Sequence, residues 1–184
     1  MLDTEVCISQ SRNWVEGFIQ KRNICPFAAK VIIEKQLAYR CFDNNDVEYC
    51  LTEIFVLLRK MQAQASPETM LIILPAWQED FDGFLEVCEL ARELLAAHEL
   101  QNEFQFATFH PQYLFQNEAP DSPSHYTNRS PWPMLHIIRQ SSISNALRHY
   151  PDPEAIPEKN IEMMHKLGSD YLREQLLRIQ AVTE

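Results

Sequence analysis

Three groups of residues carry chemistry in their types and surroundings. Cys25 precedes Pro26 in the run Cys25-Pro26-Phe27-Ala28. A short helix is expected from Pro26, because proline suits a first helical position. A thiol at a helix N-terminus feels the positive end of the dipole, which favours thiolate, the form a nucleophile or redox centre needs. The plainer reading is a small buried residue at a tight turn. His110, in Phe109-His110-Pro111, closes an expected strand. Ligands in α/β sheets gather beyond the carboxyl ends of strands, and an imidazole there suits a general base or a metal ligand. It equally suits a histidine that only pins the loop. The third group is the run Tyr126-Thr127-Asn128-Arg129-Ser130-Pro131-Trp132-Pro133. Arg129 offers a planar fork for a carboxylate or phosphate. Tyr126, Asn128 and Ser130 add polar groups, and a helix opening after Ser130 would add free backbone amides. His136 and Arg139, three residues apart, share a face if that segment is helical and extend the anion pocket. The competing reading is a capping and loop-bracing cluster, with Met134 to Ile138 as a strand.

The other thiols are plainer. Cys7, Cys50 and Cys88 fall on apolar faces of expected helices, and Cys41 in an expected strand, all consistent with core packing. The five cysteines form no C-x-x-C and the count is odd, so free thiols are expected rather than a disulfide framework. None of the six histidines is spaced as H-E-x-x-H or as an i, i+4 pair, so no metal site is assigned. Phosphate-binding glycine loops and the G-x-S-x-G elbow are missing too, and the cofactor is left open.

The elements that must position these groups are read from periodicity. A first helix is expected over about Thr4–Lys21, with Cys7, Trp14, Val15 and Phe18 on one face. A strand follows over Leu37–Phe42, then a helix over Asp46–Gln64 and a strand over Thr69–Leu74. A helix over about Asp80–Glu99 leads to a strand over Glu103–Phe109. Residues 110–130 have little periodicity but many aromatic side chains, which marks an ordered, packed loop. A short helix near Ser142–His149 and a last one from Pro157 to about Gln180 complete the chain. Alternating strands and helices predict an α/β fold in a single domain, 1–184. Its small central sheet has three to four strands, at least partly parallel, packed by about five helices.

Charge and hydropathy narrow the partners. With 26 acidic and 16 basic residues, the formal net charge is −10, and no basic stripe interrupts it. No nucleic-acid role is expected of such a surface. The longest apolar run, Met70-Leu71-Ile72-Ile73-Leu74, is far too short to span a bilayer, so no membrane role is expected either. The first residues lack a secretory pattern, which makes the cytoplasm the expected location. A small anionic molecule is the partner that the Arg129 cluster suits. Nothing in the pattern sets the oligomeric state.

Taken together, Cys25-Pro26-Phe27-Ala28, Phe109-His110-Pro111 and Tyr126 to Pro131, leading to Leu135-His136 and Arg139, resemble an uncharacterised bacterial family, domain of unknown function 1415. The similarity extends to Ile156-Pro157 and Asn160 near the end. The resemblance implies a bacterial cytoplasmic protein and carries no activity with it. Three readings therefore stay open. One is an enzyme on a small anionic substrate, with Cys25 as nucleophile or redox thiol, His110 as base and Asn128 with Arg129 as clamp. Another is a non-catalytic ligand- or metal-binding module using His110, His136 and Arg129. The third is an interaction protein docking through its aromatic loop.

Overall fold

The computed structural model describes residues 3–148, 150 and 152–182. Among them are seven α-helices and one mixed four-stranded sheet. The strands are β1 (Leu37–Cys41), β2 (Thr69–Ile73), β3 (Phe104–Phe109) and β4 (Met134–Arg139), in the spatial order β1-β2-β4-β3. β1 pairs parallel with β2, while β4 runs antiparallel to both β2 and β3. The last strand of the chain is thus inserted between two strands that precede it.

The sheet is covered on both faces, as an α/β layering requires. Helices α3 (Val47–Ala63) and α4 (Phe81–Ala97) cover one face. Side chains alternate along a strand, so Ile72, Leu135, Ile137 and Phe104 meet α3 and α4 in one core. Leu71, Ile73 and Met134 point the other way, against α1 (Thr4–Trp14), α6 (Ile156–Leu167) and α7 (Ser169–Gln180). The short helix α2 (Ala28–Ile33) lies on this second face too, with Phe27 and Val31 against Ile138. Every residue of β2 is buried, and each large aliphatic side chain so placed stabilises by about 1.5–3 kcal/mol relative to exposure. Asp46 and Asp80 cap α3 and α4, each accepting a backbone N–H from the first turn, Tyr49 at 3.1 Å and Gly83 at 2.9 Å.

Two expected helices are interrupted. The first ends as an α-helix at Trp14 and continues as a π-helical turn over Val15–Gln20. There the amides of Lys21 and Ile24 reach back five residues, to Glu16 O and Ile19 O. Such widened turns recur at functional sites. The C-terminal stretch divides at Gly168, whose φ of 80° lies where L side chains rarely go. The short helix expected near Ser142–His149 is α5 (Gln140–Arg148), and His149 lies outside the described residues.

Candidate functional site

On the second sheet face, a cavity of about 150 Å³ opens between the π-helical turn, the turn before α2, and strands β2 and β4. Its walls are mainly apolar: Trp14, Val15 and Ile19 from the first helical stretch, Phe27, Ala28 and Val31 around α2, and Leu71 and Phe109 from the sheet. Trp14 packs edge-on against Phe109, with ring centroids 5.1 Å apart. Besides the Trp14 indole, four lining residues carry polar side-chain atoms: Cys25, Thr69, Thr127 and His136.

The hydrogen bonding of His136 fixes its tautomer. Thr69 Oγ1 donates its one proton to Ile137 O at 2.7 Å. The same oxygen lies 2.6 Å from His136 Nε2, so Nε2 must be the protonated nitrogen and donate to it. Nδ1 then carries a lone pair, and no described residue hydrogen-bonds to it. Burial pushes the His136 pKa down to about 4, so the ring is neutral at pH 7. Burial likewise raises the Cys25 thiol, against the smaller opposing effect of the Phe27 and Ala28 amides. α2 begins only at Ala28 and has six residues. The helix-terminus effect expected at Cys25 is therefore reduced to those two amides, and desolvation outweighs them.

A second compartment adjoins the first. A groove of about 480 Å³ runs between the 115–128 loop and the start of α6, lined among others by Glu118, Ser124, Asn128, Ile156, Pro157 and Asn160. Ile24 and Thr127 line both compartments. Asn160 Nδ2 donates to Ile24 O at 2.8 Å, which ties α6 to the wall between them.

The sequence-predicted residues do not all converge here. His110 is fully buried on the opposite side of the sheet. Phe109 faces the cavity, so the next side chain points the other way, where His110 stacks on Phe81 and Phe84 at 4.8 and 5.2 Å. Its Nε2 donates to Trp77 O at 2.9 Å and its Nδ1 accepts from Gln112 N at 3.0 Å. Both nitrogens are engaged with backbone, and burial lowers its pKa. The structure thus keeps His110 apart from Cys25, and places His136 in the cavity that Cys25 lines.

The anion cluster is likewise dispersed. Arg129 Nε donates to Tyr113 O at 3.1 Å, with its guanidinium over the ring of buried Tyr126 at 4.9 Å. Asn128 Nδ2 donates to Thr108 O at 2.9 Å, and buried Ser130 Oγ to Trp132 O at 2.6 Å. Each of these side chains braces the loop backbone. The segment after Ser130 enters β4 rather than a helix, so the shared helical face for His136 and Arg139 does not form. A spacing of three puts them on opposite sheet faces. Arg139 instead reaches the carbonyls of Met61 in the last turn of α3 and of Gln64 and Pro67 just beyond it, and stacks on Phe104 at 5.3 Å. Sequence reasoning missed Thr69, Thr127 and the π-helical turn. Thr69 alone had a visible signal, a hydroxyl at the head of an apolar strand.

A family model, described as protein of unknown function (DUF1415), matches residues 6–174. The chain belongs to this family. The match spans α1 through the first half of α7, and so includes every wall of both compartments named above. Searches of curated proteins and of solved structures found no match for this DUF1415 member. Among the described residues, no helix is long and apolar enough to cross a membrane, and no group of three His, Cys, Asp or Glu side chains could hold a metal ion.

Proposed function

We propose that this DUF1415 protein binds a small, largely apolar organic molecule in the cavity beside Cys25 and His136, admitted through the groove along α6. The observation that carries this reading is the cavity itself. Its volume of about 150 Å³ is that of a site able to take a benzene-sized ligand. It is bounded by a distorted helical turn and has few polar atoms, as small-molecule sites commonly do. The segments that carried the family resemblance supply Cys25, Phe27, Ala28, Phe109, Thr127 and His136 to the cavity, and Ile156, Pro157 and Asn160 to the groove. The small anionic partner suggested by Arg129 fits this site less well. Its lining is apolar and its imidazole neutral, and an unpaired charge is costly to bury.

A thiol-dependent enzyme is the second reading, favoured by Cys25 and His136 lining one cavity. It ranks lower because burial keeps both groups neutral. An imidazole of pKa about 4 is a weak base for a thiol whose own pKa is raised.

The test is titration of the 15N-labelled protein with toluene. Saturable amide shifts at residues 14–19, 25–28 and 136 are expected. Shifts absent there, or scattered over the surface without saturation, sink the binding reading.

A further inference from the structure

The polar wall of the cavity restricts the ligand further. Because the Thr69 hydroxyl is committed to Ile137 O at 2.7 Å, the imidazole cannot turn its Nε2 lone pair inward; it meets Thr69 at 2.6 Å as a donor. What remains for a ligand is the Nδ1 lone pair, an acceptor. Thr127 lines the same cavity, but its hydroxyl proton lies between Ser124 O at 3.0 Å and Asn128 Oδ1 at 3.1 Å. It is a poor donor to a guest. Besides this acceptor the lining carries only the weak S–H of Cys25 and the indole N–H of Trp14, and no cation.

We infer that the ligand is a neutral molecule with a small apolar body and one hydroxyl, of the phenol or short-alcohol class, which donates its O–H to His136 Nδ1. This rests on the binding reading above and adds the ligand's polarity. An anion loses because nothing in the cavity offsets its charge. A pure acceptor, such as an ether or a ketone, leaves the Nδ1 lone pair without a donor. A hydrocarbon fits but leaves Nδ1 unpaired, where a net hydrogen bond contributes about 1 kcal/mol.

Phenol and toluene have nearly the same shape and differ in O–H against CH3. Without a waiting acceptor toluene binds better, since burying an unpaired hydroxyl is unfavourable. With Nδ1 as acceptor the order reverses, and phenol should bind roughly fivefold or more tightly. The experiment measures both affinities by isothermal titration on the wild type and on His136→Leu, and follows the His136 ring 15N signals during the phenol titration. The expected result is phenol ahead of toluene, a phenol-dependent shift of Nδ1 rather than Nε2, and reversal of the order in His136→Leu. Toluene binding as well as or better than phenol in the wild type overturns the donor inference and leaves the cavity reading standing. Neither ligand binding overturns both. Should His136→Leu fail to fold, the Nδ1 signal in the wild type decides the point by itself, because its failure to move on phenol binding overturns the inference.

Discussion

Thr69 and His136 face each other across the β2–β4 pair, with Thr69 Oγ1 2.6 Å from Nε2 and the same hydroxyl donating to Ile137 O at 2.7 Å. One threonine therefore sets both the tautomer and the ring orientation of the one imidazole lining the cavity. Thr69→Val removes the acceptor and leaves Nε2–H buried without a partner, which costs roughly 1–3 kcal/mol. Chemical denaturation should read that loss. In ring 15N spectra, wild-type His136 should show a single Nε2–H tautomer. Thr69→Val should show a mixture. A single tautomer retained in the variant would mean something other than Thr69 fixes it.

The same ring gives a pH signature. Its pKa is about 4 in the folded chain against the ordinary 6.5, so between those values the unfolded chain binds more protons. Stability must then fall as pH drops from about 6.5 toward about 4, by roughly 3 kcal/mol when complete. His110 is also lowered by burial and adds a fall of the same sign. Comparing wild type with His136→Leu cancels the His110 contribution and that of the carboxylates. The wild-type curve should be steeper through this window. Parallel curves would show that His136 is not buried as described.

Much of the scaffold was legible, because long amphipathic periods and short apolar runs leave few alternatives. The stretch expected to be helical over Asp46–Gln64 is α3 over Val47–Ala63, and the Thr69–Leu74 strand is β2 over Thr69–Ile73. The site was less legible, and Met134-Leu135-His136-Ile137-Ile138 shows why. A run that short and apolar suits a buried helix or a buried strand, and the choice decides whether His136 and Arg139 are neighbours or opposites. The polar loop misled for a related reason. The loop over residues 110–130 must satisfy its own backbone groups, and Asn128, Arg129 and Ser130 do so, as does His125, bonded to Phe115 N at 3.1 Å and Ala119 O at 2.8 Å. The alternation that sends Phe109 to one face and His110 to the other could be read only once β3 had a fixed end.

Arg139 illustrates a charged side chain placed for structure. One guanidinium nitrogen reaches three carbonyls at and just beyond the end of α3, and the fork stacks on Phe104. Arg139→Met removes these donors while keeping an apolar stem. It should destabilise by about 1–3 kcal/mol, since partly buried carbonyls lose a charged donor. Arg139→Lys should recover only part of this, because an ammonium lacks the planar fork. Neither change should alter toluene affinity, since Arg139 lies on the far face of the sheet. Loss of toluene binding in a folded Arg139→Lys protein would place Arg139 at the site after all.

His110 and His136 make opposite predictions for the Cys25 thiol, and alkylation separates them. Cys25 is held protonated by burial, so its reaction with iodoacetamide should be slow at pH 7. Its rate should rise with a midpoint above the ordinary thiol value of about 8.5. His110→Gln breaks the bridge from Trp77 O to Gln112 N and should cost about 1–3 kcal/mol of stability through unpaired buried groups. The Cys25 rate profile should nevertheless overlay that of the wild type, because the sheet lies between them. Toluene, by contrast, should slow the alkylation of Cys25 by occupying the cavity it lines. If His110→Gln moves the Cys25 midpoint in a protein that is still folded, the imidazole communicates with the thiol despite the sheet. The pairing of Cys25 with His136 would then have to be abandoned.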